Sequence, residues 1–225
     1  VLQQLGLPST YELLEDDADA VAEVWRRYLR RVAGDADLSA DYAALVATLG
    51  RHRAHAALEG ALARRVEFLL ADAAGHVDDA VEPFDVLYPR LAGVAQPADW
   101  LLQRAAGSVL QQGAARALAP LARTYAAKGA ELLAALEAED WDGVVAALFT
   151  KNGTPRAFSK HTPGDVRAAQ NEVEAVLAAE AQHAARQYHL RMTRLTRPLI
   201  ESFAELKRER GWVDMSDVER AALTL

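Results

Sequence analysis

Along most of the chain, apolar residues return every three or four positions, the period of one face of an α-helix. Residues 15–32 show it best. Val21, Val24, Trp25, Tyr28, Leu29 and Val32 form one apolar face, and Asp16, Asp17 and Asp19 fall in the first turn, where acids favour the positive end of the dipole. Ser39 is placed to cap a helix reaching about Leu49, and a longer helix is predicted from about Arg51 to Ala73, with Leu58, Leu62, Val66, Leu69 and Leu70 inside. Pro83, Pro89, Gly93 and Pro97 leave room only for short helical turns over 75–97. Pro97 opens a helix through Trp100, Leu101, Val109, Leu110 and Leu118, with a kink or a break expected from Gly107, Gly113 and Pro120. Further helices are predicted over 126–138 and from Asp140-Trp141 to near Phe149.

The longest periodic stretch runs from Asp165 to about Arg210 through Val166, Val173, Val176, Leu177, Ala184, Tyr188, Leu195, Leu199 and Phe203. Pro198 is expected to kink it near Arg194, whose carbonyl loses its donor. Lys207, Arg208 and Arg210 fall in its last turn, and Gly211 supplies a left-handed stop. Asp214 or Ser216 then caps a new helix, with Asp217 and Glu219 in its first turn. Between the periodic stretches, Phe149-Thr150-Lys151-Asn152-Gly153-Thr154-Pro155-Arg156-Ala157-Phe158 carries an Asn-Gly turn signal between short non-helical arms and predicts a small hairpin. The expected fold is all-α: an irregular multi-helix bundle with one long kinked C-terminal helix and a hairpin-like loop near 149–158. One domain over 1–225 is preferred, and the alternative is a helical bundle over 1–148 followed by 149–225.

Composition narrows the function classes. The 225 residues are 51% hydrophobic, 25% charged and 7% aromatic, with no cysteine, which excludes disulfides and thiolate metal sites and fits a reducing, cytoplasmic location. No apolar run reaches the roughly 18–20 residues a membrane span requires, so no membrane partner is expected. The chain opens Val-Leu-Gln-Gln and ends at Leu225 within a helical pattern, and is read as a piece of a longer polypeptide. Its net charge of −7 is unevenly spread. Residues 1–150 hold 13 Lys and Arg against 22 Asp and Glu, a net of −9, whereas residues 151–212 hold 11 against 7, a net of +4. A polyanion should therefore meet the later segment. Lys151, Arg156, Lys160 and Arg167 cluster there, with Phe158 and His161 interleaved; the cations could neutralise DNA phosphates while an aromatic stacks. Arg186, Arg191, Arg194 and Arg197 form a loose stripe that faces either DNA or solvent.

Two short segments resemble one family. Arg210-Gly211-Trp212-Val213-Asp214-Met215-Ser216-Asp217-Val218 resembles a segment of UvrD/Rep-type superfamily-one helicases, with Met215 where the family has Phe and Val218 where it has Leu. Phe149, Thr150, Lys151, Gly153, Pro155 and Arg156 match an element of the helical insertion in AddA/RecB-like helicase–nuclease chains, in the family's order. Leu5-Gly6-Leu7 with Tyr11 to Glu15 is similar to the start of that insertion. The resemblance implies a helical accessory insertion of the first motor domain, lying over DNA in a double-strand break repair enzyme. It makes Arg210, Gly211, Asp214 and Asp217 family-motif positions. It also implies ATP and magnesium in the parent protein and an AddB/RecC-like partner subunit. The sequence has neither a phosphate loop nor the acidic magnesium box, so this segment itself should not hydrolyse ATP and needs no cofactor.

Two other function classes stay open. The first is an all-helical protein-interaction module with no enzymatic parent. The second is a helical prenyl-diphosphate enzyme, suggested by Asp78-Asp79-Ala80-Val81-Glu82 and disfavoured because the second metal box is missing. His52 with His55, and His183 with His189, lack a third ligand at helical spacing and read as surface or core histidines.

Overall fold

The computed structural model describes residues 11–14, 17–105, 109–158 and 162–218. Ten α-helices account for most of them: α1 Ala18–Gly34, α2 Ala36–Leu49, α3 Arg51–Ala63, α4 Arg65–Ala73, α5 Phe84–Leu87, α6 Pro97–Ala105, α7 Val109–Leu118, α8 Arg123–Glu137, α9 Trp141–Leu148 and α10 Gly164–Arg210. A 3-10 turn covers Pro89–Leu91, and two short strands, β1 Glu12–Leu13 and β2 Trp212–Val213, pair in parallel. The fold is all-α, as the periodicity predicts. Among the described residues no helix is long and apolar enough to cross a membrane.

The chain divides into two compact units. One takes residues 1–81 and 186–225, the other 82–185. Neither change of unit falls at 148–149. Both units use α10, and the second change lies within its residues 180–192, none of which is fully buried. Ala184 and Tyr188 keep the helical spacing of the apolar stripe but are exposed.

In the first unit, Ala20, Val24, Trp25, Tyr28 and Val32 of α1 bury against Leu45, Leu58, Leu62, Leu195, Leu199 and Phe203. Two expected core positions turn outward, Leu29 at 42% exposure and Leu70 at 49%. The cap of α2 is Asp35 instead of Ser39: its carboxylate accepts from the Asp37 and Leu38 amides, so the helix starts one turn early. The single helix expected over 51–73 is two, parted at Arg64, and Arg65 begins the second with its side chain buried.

In the second unit, Leu101, Leu118, Leu132, Val144, Leu148, Phe149, Phe158, Val166 and Val173 form the core. Asp140 caps α9 through the Gly143 amide. The proline-broken connection contributes Phe84 and Leu91, packed with Ala179 of α10.

Candidate nucleic-acid interface

The 149–158 segment is a small hairpin. Phe149 and Pro155 form an antiparallel bridge, the Thr150 amide donates to Thr154 O at 2.8 Å, and the Arg156 amide donates to Leu148 O at 2.9 Å. Gln170 of α10, fully buried, anchors the turn by donating from Nε2 to Leu148 O (3.0 Å) and Arg156 O (2.9 Å). Nothing in the sequence marks this glutamine, because its partners are backbone carbonyls brought together only by folding.

The four predicted DNA contacts meet different fates. Lys151, at the tip of the turn, and Arg167, in the first turn of α10, are exposed and make no ion pair among the described residues. Arg156 is half-buried and turns its Nε back to Ala146 O at 3.3 Å. Lys160 lies outside the described residues, as does His161. Phe158 is no stacking platform. It is 1% exposed and packs edge-on against Tyr125, with ring centroids 5.9 Å apart.

The arginine stripe of α10 is likewise committed to the protein, within the first unit. Arg194 grips Asp41 with Nε at 2.6 Å and Nη2 at 2.8 Å, and Arg191 approaches the same carboxylate at 3.9 Å. Arg197 forks onto Asp72 (2.6 Å) and reaches Asp78 at 3.0 Å. Its hydrogen bonds to the two carboxylates raise the Arg197 pKa further, and the same interaction holds Asp72 below its ordinary value. Arg186 donates to Val81 O. Asp78 is therefore half of an ion pair, and among the described residues no three His, Asp or Glu side chains gather as a metal site. His55 stacks on Trp25 at 4.0 Å and His183 meets Phe84 edge-on at 5.5 Å. His189 Nε2 bonds Val77 O at 2.5 Å.

The family-motif positions form one knot in the first unit. Gly211 ends α10 at φ 68°, a conformation that costs an L-residue with a side chain about 1–2 kcal/mol. Its carbonyl accepts from the Glu12 amide at 2.8 Å, which starts the β1–β2 pairing of Glu12 with Trp212 and Leu13 with Val213. Asp214 and Asp217 then cap each other reciprocally. The Asp217 amide donates to Asp214 Oδ1 (2.9 Å), and the Asp214 amide donates to Asp217 Oδ2 (3.2 Å). The remaining oxygen of Asp214 accepts from Arg65 Nη2 at 2.8 Å and Lys207 Nζ at 2.7 Å, and Lys207 also reaches Asp217 at 2.5 Å. Both cations lie over the Phe203 ring, at 5.0 and 5.1 Å from its centroid. Burial opposes ionisation of Asp214, but the Lys207 hydrogen bond and the charges of Lys207 and Arg65 outweigh it and hold its pKa below the usual carboxylate value. Arg210, exposed, pairs with Glu23 at 2.8 Å and lies over Trp212. Arg65, the missing member of this set, carries no signal in the sequence.

Sequence reasoning also passes over the outer face of α1. A cleft of about 470 Å³ there is lined by Arg26, Arg27, Arg30 and Arg210 together with Asp19, Ala22 and Glu23. Arg27 is held by Glu209 in two hydrogen bonds of 2.8 and 2.6 Å. Arg26 and Arg30 make no ion pair among the described residues; Arg30 uses only its Nε, on Arg26 O at 3.2 Å. The signal is present as the doublet Arg26-Arg27 followed by Arg30-Arg31, one turn apart on a helix, and the net charge of the front segment conceals it. No protein-family model matches the chain, and neither a curated protein nor a solved structure matches it.

Proposed function

We propose that this chain is a helical accessory domain of an ATP-dependent DNA helicase–exonuclease of recombinational double-strand break repair, inserted in the first motor domain of a UvrD/Rep-type parent. The support for this reading is the resemblance of Arg210–Val218 to the UvrD/Rep-type segment, whose motif positions this chain uses together as a helix stop and cap. Gly211 stops the helix, Asp214 and Asp217 cap the next one, and Asp214 ties the exit to α4 and α10. In this role the chain scaffolds and guides DNA, while ATP and magnesium chemistry belongs to the parent.

The test uses the full-length polypeptide that carries this segment beside the 225-residue chain. DNA-stimulated ATP hydrolysis and strand separation are expected from the first and neither from the second. A full-length protein without DNA-stimulated ATP turnover overturns the reading, as does ATP turnover that follows the 225-residue chain through purification. The other reading, a helical interaction module, draws on Val86 and Leu87, which are 60% and 47% exposed in the proline-broken connection.

A further inference from the structure

We infer that the cleft on the outer face of α1 is a phosphodiester-binding site, with Arg26 and Arg30 as its two phosphate-binding groups and DNA as its ligand. The choice of DNA rests on the proposed function; the anion chemistry rests on the cleft. Arg26 and Arg30 are i and i+4 on one helix, so their side chains rise from the same face with Cβ atoms roughly 5–6 Å apart. Their guanidinium Nη atoms have no acidic partner among the described residues. This separates them from the arginines of the first unit that pair with Asp41, Asp72, Asp78, Glu23, Glu201, Glu209 or Asp214.

The neighbours make the cleft a formed surface. Arg27 is fixed by Glu209 and Arg210 by Glu23, so these wall residues are preorganised pairs that leave little net charge of their own. Asp19 is the one carboxylate of the lining outside those pairs, and it leaves the cleft positive. Two phosphates along one strand satisfy two free guanidinium groups without breaking any pair in the protein. Binding to a single strand or a duplex backbone is sequence-independent, because contacts to phosphate oxygens carry no base information.

The experiment measures fluorescence anisotropy of a labelled single-stranded oligonucleotide and a labelled duplex with the 225-residue chain, from 25 to 200 mM salt (roughly the range over which phosphate binding reveals itself). The R26A/R30A chain should bind about tenfold more weakly at the lowest salt. The slope of log affinity against log salt should fall by about 2, near 0.9 for each phosphate no longer neutralised. Circular dichroism should be unchanged, since both side chains are exposed. A K151A/R167A chain serves as comparison and should lose less. The proposal is overturned if wild type shows no salt-sensitive binding, if R26A/R30A matches wild type, or if K151A/R167A loses more. Displacement of DNA by about 1 mM inorganic phosphate, or preference for anionic vesicles over DNA, overturns the choice of DNA as ligand. Because these measurements use the chain without the motor, failure of the helicase reading leaves them standing, and an active full-length helicase with a silent R26A/R30A variant rejects this site alone.

Discussion

Lys207 donates to Asp214 at 2.7 Å with both side chains more than nine-tenths buried, and the same carboxylate oxygen takes Arg65 at 2.8 Å. One acid therefore bridges two interior cations drawn from α4 and α10, with Asp217 a second partner for Lys207 at 2.5 Å and Asp17 lying 3.8 Å from Arg65. Removing it leaves Arg65 with only the more distant Asp17 in a poorly hydrated place, which costs more than the pair itself contributes. Asp214→Ala should lose about 3–5 kcal/mol of stability by chemical denaturation. A loss below about 1 kcal/mol, the range of a surface pair, would show that water screens the cluster.

The depressed pKa of Asp214 fixes the sign of an acid effect. In the unfolded chain this carboxyl titrates near its ordinary value of 3.8, and in the folded chain below it. Its contribution is thus complete above that value and drains away as pH falls through the folded pKa. Stability measured from pH 6 down to about 2 should fall faster in the wild type than in Asp214→Asn. Parallel curves would mean that other carboxylates carry the acid sensitivity.

Arg194 separates a structural role from a DNA role. Its side chain is 46% exposed, yet its Nε and Nη2 both donate to Asp41, whose side chain is 12% exposed. Arg194→Ala should cost about 1 kcal/mol, mostly from leaving Asp41 under-paired, after allowing for solvent screening. DNA affinity should be unchanged. A drop in affinity at constant stability would return this arginine to the interface.

Phe158 supplies a fourth test. As a fully buried ring against Tyr125, its replacement by alanine should cost about 3–5 kcal/mol. An aromatic wedge for nucleic acid would instead lose affinity at constant melting temperature.

The sequence by itself determined the all-α fold and most of its helices, because these depend on neighbours within a turn; the interruption expected at Gly113 is absent, and α7 runs through it. Gly211, the Asn-Gly turn and the apolar period of α10 were legible for that reason. Its errors were local competitions decided from outside. Asp35 displaced Ser39 as a cap, and the predicted 51–73 helix divided where Arg65 turns toward Asp214, 149 residues away in sequence. Which charges stay free was beyond any linear reading. The arginine stripe of α10 looked available until Asp41, Asp72 and Asp78 folded against it, whereas Arg26 and Arg30 were hidden in a segment of net negative charge, none of whose carboxylates closes an ion pair with them among the described residues. Net charge along a chain is an average over sequence. The field at a surface is set by which ion pairs close in space, and only the tertiary structure closes them.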